Sequence, residues 1–124
     1  MKTTTKKGLL LKPIQNFEDR YSIYEDGTVI SHKSKNKEVK HFVTKQGYHT
    51  VVLWGGDKYY RRYIHRLVGQ AFLDNPANLP HIDHLDNDKS NNSVENIEWV
   101  SHKENTRRAI ADGLYKRDKY GRFC

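Results

Sequence analysis

Between His81 and Asn105 the chain reads HIDHLDNDKSNNSVENIEWVSHKEN, packing His, Asp and Asn at a density that a hydrophobic core does not use. Three kinds of side chain recur there, and each has its own chemistry. An imidazole titrates near the working pH and can take a proton from water. A carboxylate is a hard oxygen ligand suited to Mg²⁺ or Mn²⁺, and an amide carbonyl supplies a second oxygen. A base beside an oxygen-held cation is the equipment of metal-assisted hydrolysis, where water is activated and the cation takes up developing charge. Taken singly, each residue favours a plainer reading, a polar surface loop with coincidental histidines.

The few apolar residues set the elements that must position these groups. Ile82, Leu85, Val94, Ile97, Trp99 and Val100 predict a short strand at Ile82, a polar loop from Asp86 to Asn96, a second strand IEWV and then a helix. Pro80 fixes the start. Ser101 stands as the helix N-cap, with Glu104 three residues on completing an S-x-x-E capping box. The Asp, Asn and Ser side chains of the loop are of the kind that bond backbone groups and hold turns.

In this order the stretch resembles the catalytic motif of HNH endonucleases, the ββα-metal nucleases, and most closely their phage and intron-borne homing branch. That motif has Asp-His or Asn-His at the end of its first strand, an acidic turn with an Asn pair, and a further Asn. An LxWV strand and a Ser/Thr-led helix ending in x-x-Asn follow. Asp83-His84, Asp86, Asn91-Asn92, Asn96, IEWV and Ser101 to Asn105 fill those places. The resemblance implies that His84 is the general base and that Asp83 and Asn105 hold one Mg²⁺ or Mn²⁺ per site. It also makes Asn92 and Asn96 braces of the loop, where the alternative for Asn96 is an ordinary turn residue.

His102, three residues before Asn105 and on nearly the same helical face, is either an extra ligand or phosphate contact, or an exposed helical histidine. Asn87 stands where the family commonly has Gly, and Asn is the next best residue for a left-handed turn. Asn105 stands where many such nucleases have a last His, a swap found in the phage branch that favours an oxygen-loving ion over zinc. Neighbours in a regular strand face opposite ways, so the strand is expected to end or bend at Asp83-His84 if both are to face one site.

Composition adds bounds. At 124 residues the chain suits one compact domain, or two modules sharing a core. A net charge of +7 fits a polyanionic partner or a solvated surface. No apolar run is long enough to span a membrane, and the N-terminus lacks a signal-peptide core. The lone Cys124 excludes an intrachain disulfide and a cysteine-based zinc knuckle, so no structural zinc is expected. An intracellular setting fits these features and is the expectation, the cytoplasm of a bacterial host if the chain is phage-borne.

The expected fold is α+β: a small antiparallel sheet module, a helix and a ββα-metal motif. Residues 1–16 form a basic leader whose Leu9 to Leu11 patch docks on the body, either a DNA-touching arm or a frayed terminus. Residues 17–64 form the β module, with turns at Glu25-Asp26-Gly27, Ser34 to Lys37 and Gly55-Gly56-Asp57. Residues 65–113 hold the helix HRLVGQAFL, which resembles the shelf helix HRLVAxAF of this branch, and the nuclease motif. His65 reads as a packed histidine, Gly113 as a C-cap, and residues 114–124 as a basic tail. With no appended helical DNA-reading domain after it, recognition is expected from the sheet, the arms or a dimer partner.

Arg61, Arg62, Arg66, Lys89, Arg107 and Arg108 are candidate phosphate contacts. The Tyr59 to Tyr63 stripe is either a DNA-facing strip or the polar outer face of a strand. The function implied is a divalent-metal-dependent endonuclease acting on double-stranded DNA, by nick or double-strand break, as monomer or homodimer. Two alternatives are a non-catalytic DNA-binding module of the same shape, and a single-stranded RNA- or DNA-binding protein that stacks bases on its tyrosines.

Overall fold

The turn at Glu25-Asp26-Gly27 closes β3 (Tyr21–Tyr24) on β4 (Val29–Ser31), with Ile23 opposite Val29. Gly27 takes φ 96°, a left-handed conformation that costs a residue without a side chain nothing. The computed structural model describes residues 4–6, 8–33, 35 and 37–111, with side chains from residue 8 on. The leader lysines Lys2 and Lys7, the Lys6 side chain, the Gly113 stop and the tail 114–124 lie outside the described residues.

β1 (Thr4–Lys6), β2 (Leu9–Pro13), β3, β4 and β5 (Lys37–Glu38) form one sheet in sequence order. The Leu9 to Leu11 patch joins the body as a strand of this sheet. Leu9 and Leu11 alternate inward along β2, while its backbone pairs with the β3 edge, Leu11 opposite Tyr24. A second antiparallel sheet holds β6 (Phe42–Val43), β7 (His49–Trp54) and β8 (Tyr59–Tyr63). On β8 Tyr60 is half-buried, while Tyr59, Arg61, Arg62 and Tyr63 are exposed.

β8 runs directly into α1 (Ile64–Phe72), whose Ile64, Leu67 and Val68 are buried with Ile23, Val29, Val51 and Leu53 in the core. Against the other side of α1 lies a two-stranded ribbon, β9 (His81–His84) and β10 (Ile97–Val100), followed by α2 (His102–Ala111). The ribbon pairs without slippage: Ile97 with His84, Glu98 with Asp83, Trp99 with Ile82, Val100 with His81. Alternation then sorts its two faces. Ile82 and Trp99 meet α1 at Gly69, where an added Cβ would lie 2.5 Å from Ile82 Cδ1 and 3.0 Å from Trp99 Cζ2. Glycine there lets the helix approach the ribbon. Asp83 and Glu98 turn the other way, to α2. Among the described residues no helix is long and apolar enough to cross a membrane.

The β module also grips the polar loop. Val94 N donates to Glu25 O at 2.8 Å, and Gly27 sits so close that an added Cβ would meet Ile64 Cγ2 at 3.0 Å and Asn92 Cβ at 3.4 Å.

Candidate active site

His84 is the last residue of β9 and is 5% exposed, on the α1 side of the ribbon. Its Nε2 lies 2.7 Å from Asn92 Oδ1. An amide oxygen can only accept, so the neutral ring carries its proton on Nε2 and keeps the Nδ1 lone pair for another proton. Asn92, 4% exposed, is wedged behind by the Gly27 turn. The sequence marked Asn92 as a brace of the loop; its side-chain partner here is the His84 ring.

Around His84 stand the rings of His65, at 5.1 Å between centroids, and Tyr48, at 6.2 Å. His65 is itself 8% exposed, and its Nδ1 is a buried atom with no hydrogen-bond partner. Burial, then the neighbouring His84 and Arg66, push its pKa down to about 3. His65 is therefore a neutral, packed imidazole at ordinary pH.

The loop beyond the strand is a closed polar network. Asn87 takes φ 64°, and Leu85 N donates to Asn96 O at 2.7 Å. Asn96 Nδ2 donates to Asp86 Oδ1 at 2.8 Å and to Asn91 O at 2.9 Å, while its Oδ1 accepts from Asp86 N at 3.1 Å. Asn91 Nδ2 donates to the other Asp86 oxygen at 2.9 Å. These bonds, that from Asn91 foremost, hold the Asp86 carboxyl below the usual carboxylate range. Lys89 donates to Gln46 O at 2.9 Å and lies over the Tyr48 ring at 4.7 Å, tying the loop to the second sheet.

On the opposite face of the ribbon a stripe of α2, His102, Asn105 and Arg108, runs along β9 at three-residue spacing. At one end His102 Nδ1 stands 3.3 Å from His81 Nε2; at the other Arg108 Nη1 donates to Asp83 Oδ2 at 3.1 Å. Asn105 falls between them, half-buried. Arg108 also binds Glu98 Oε1 at 2.9 Å and Glu104 Oε2 at 2.7 Å, and these carboxylates, Glu98 first, push its pKa up. Burial, then His102 and Arg66, lower the His81 pKa.

Half of the capping box forms: Glu104 N donates to Ser101 Oγ at 3.0 Å. The Glu104 carboxylate turns instead to Arg108 and Arg107, its contact with Arg107 Nη2 being 2.7 Å. Arg66 donates to Pro80 O at 2.8 Å and lies over Trp99, and Arg61 donates to Thr50 Oγ1 at 2.9 Å. Arg62 covers the Tyr60 ring at 5.0 Å.

The structure brings Asp83 to the Asn105 stripe but turns His84 to the other face. Of the two expectations for Asp83-His84, an end or a bend, the strand ends: four successive cross-strand pairs carry β9 unbent to His84, its last residue, and the turn follows at once. Arg108 on Asp83 and His65 beside His84 carry no local sequence signal of these contacts, since both are made across elements. The Asp83 carboxylate and Asn105 amide are hard oxygen donors, fit for Mg²⁺ or Mn²⁺. Among the described residues no three His, Cys, Asp or Glu side chains gather as a metal cluster.

The family described as HNH endonuclease matches residues 62–107, and the NUMOD4 motif matches residues 12–54. An uncharacterized HNH endonuclease of Acanthamoeba polyphaga mimivirus is 38% identical over 100 residues, 81% of this chain and 29% of its own length. The DNA endonuclease I-HmuI of Bacillus phage SP01 is 35% identical over 102 residues, 82% of this chain and 58% of its own. The solved structure of DNA binding and cleavage by the HNH homing endonuclease I-HmuI is similar with a TM-score of 0.79 at 34% identity, over 89% of this chain and 63% of that one. The chain thus spans less than two thirds of the length of these relatives.

Proposed function

We propose that the chain, a NUMOD4 motif followed by an HNH endonuclease domain similar to those of the phage homing enzymes, is a divalent-metal-dependent DNA endonuclease. Its substrate in this reading is double-stranded DNA, cut or nicked by hydrolysis, and its place of action the cytoplasm of a phage-bearing host. It acts as a monomer or homodimer.

One observation supports this reading most: the buried 2.7 Å bond between His84 Nε2 and Asn92 Oδ1 at the ribbon's end. The bond fixes ring orientation and tautomer together, so His84 presents Nδ1 as a base that takes a proton from water. Asp83 and Asn105 on the opposite face are the groups that would hold Mg²⁺ or Mn²⁺. The cation supplies stabilisation of charge on the phosphate and the leaving oxygen. In an in-line displacement the entering and leaving oxygens lie on opposite sides of phosphorus. A base on one face of the ribbon's end and ligands on the other match that division. The Asp86–Asn91–Asn96 network keeps the chain from slackening just past the base. Arg61, Arg62, Arg66, Lys89 and Arg107 are the cations offered to backbone phosphates.

The test is supercoiled plasmid incubated with the protein, with and without Mg²⁺ or Mn²⁺. The wild type cuts only with the ion. His84→Ala loses about 10²–10⁴ in rate while DNA affinity stays near wild type. Asp83→Ala and Asn105→Ala need more metal and recover part of their activity at high Mn²⁺. A His84→Ala protein that cuts at the wild-type rate removes His84 as the base. Binding to duplex without cleavage under any of these ions makes the chain a binding module instead, and preference for single strands makes it a base-stacking protein.

A further inference from the structure

One pair of titratable side chains is unused by the hydrolytic reading. His81 opens β9 and His102 opens α2, and their rings stand 5.3 Å apart between centroids at a 44° tilt. His81 Nε2 and His102 Nδ1 are 3.3 Å apart, a long hydrogen bond when one of the two nitrogens carries a proton. Two imidazole nitrogens on one tetrahedral ion with Zn–N bonds of about 2.0–2.1 Å stand about 3.3–3.4 Å apart. The separation in the protein is that bite.

We propose that His81 and His102 form a two-imidazole site for a borderline first-row divalent cation, with Zn²⁺ as its probe, separate from the oxygen site at Asp83 and Asn105. Imidazole nitrogens suit Zn²⁺, whereas carboxylate and amide oxygens suit Mg²⁺ or Mn²⁺, so the α2 stripe sorts two ions by ligand type. The sites are neighbours: Asp83 lies two residues along the same face of β9, about 6.5–7 Å on. No third His, Cys, Asp or Glu joins the pair among the described residues, and His102 is exposed. The remaining coordination positions therefore go to water or to a phosphate oxygen of bound nucleic acid. Arg66 acts against a cation here, but its guanidinium is engaged by Pro80 O at 2.8 Å. Such a site is open and exchangeable, unlike a structural zinc knuckle.

The test needs no DNA cleavage, so it stands or falls apart from the nuclease reading. The full chain, held in excess Mg²⁺, is titrated with Zn²⁺ by calorimetry while its imidazole signals are followed by NMR. One Zn²⁺ is expected, shifting His81 and His102 together. His81→Asn and His102→Asn should each weaken it by at least the 10–100-fold that even an outer-shell partner carries. His49→Asn, taken from another close pair, His41 and His49 at 5.8 Å, and Asp83→Asn should change it by less than about twofold. No Zn²⁺ uptake, or unchanged affinity in both His81→Asn and His102→Asn, overturns the proposal. So does an equal loss in Asp83→Asn, which would merge the two sites. Should His81→Asn melt early, the Zn²⁺ affinity of His102→Asn, altered only at an exposed helix start, decides between the two outcomes.

Discussion

Acidification should destabilise the protein through His65 in a way that a single substitution isolates. The ring is 8% exposed, its Nδ1 has no partner, and its pKa falls from 6.5 to about 3 on folding. Above pH 6.5 the ring is neutral in both states and contributes no slope. Between 6.5 and about 3 the unfolded chain takes up a proton that the folded chain refuses, so stability falls as pH falls. Each unit in that window is worth about 1.4 kcal/mol, so at two units below 6.5 the loss is about 2.7 kcal/mol. Asp86, Asp88 and Glu104, whose pKa values are lowered by their hydrogen bonds, lose stability in the same direction at still lower pH. The wild-type curve alone therefore mixes several groups. His65→Phe keeps a flat ring and removes the titration. Urea unfolding of both proteins at constant ionic strength, from pH 7.5 down to 4.5, gives the difference. It should be constant above pH 7 and move by about 2.7 kcal/mol in favour of the variant by pH 4.5. A difference flat with pH would mean that His65 takes its proton in the fold, and that water or motion reaches its buried nitrogen.

Three further outcomes follow from named contacts. Gly69→Ala gains helix propensity but drives a methyl to 2.5 Å from Ile82 Cδ1 and 3.0 Å from the Trp99 ring, so urea unfolding should show a net loss of about 1–2 kcal/mol; a more stable variant would show that α1 and the ribbon are not in close contact. Asp86→Ala removes the acceptor of Asn91, Asn96 and Asp88 N, so plasmid cleavage should slow about tenfold or more with DNA affinity kept; an unchanged rate would strip the loop network of its positioning role. Arg107, its side chain 69% exposed, should reach phosphate more readily than Arg108, which three carboxylates engage. Arg107→Ala should then flatten the plot of log affinity against log salt by about 0.9, and an unchanged slope would leave Arg107 merely solvated.

What the sequence made legible is what local chemistry determines. Alternation and turn residues placed β3, β4, β7, β8 and α1, because glycine, asparagine and aspartate mark turns whatever packs on them. The order Asp83-His84, Asn91-Asn92, Asn96, Asn105 was legible as a motif for the same reason: it sits within one ribbon and one helix. Contacts across elements were not. Nothing near Asp83 in sequence announces Arg108, and nothing near Asn92 announces that a turn 65 residues earlier, at Gly27, presses on its back. The capping box shows how such contacts overrule a local rule. Ser101 and Glu104 have the spacing for both bonds, yet two arginines one turn on outcompete the Ser101 backbone for the Glu104 carboxylate, because a charge-assisted bond is stronger than a neutral one.

The division of the site between the ribbon's two faces has the same origin. Parity along β9 was visible in the sequence, and the expectation that the strand would end or bend at Asp83-His84 came from assuming that both must share one face; the strand ends there without bending. The fold keeps the parity. β10 supplies a partner for every residue of β9, so bending the strand would break pairs that nothing replaces. α1 and the Gly27 turn then claim His84 and Asn92 for one face, while α2 claims Asp83 for the other. Strand parity thus separates the proposed base, His84, from the proposed ligands, Asp83 and Asn105, and in that proposal they meet at a substrate that lies across the ribbon's end. A phosphodiester attacked in line, with its entering and leaving oxygens on opposite sides, has the shape for that position.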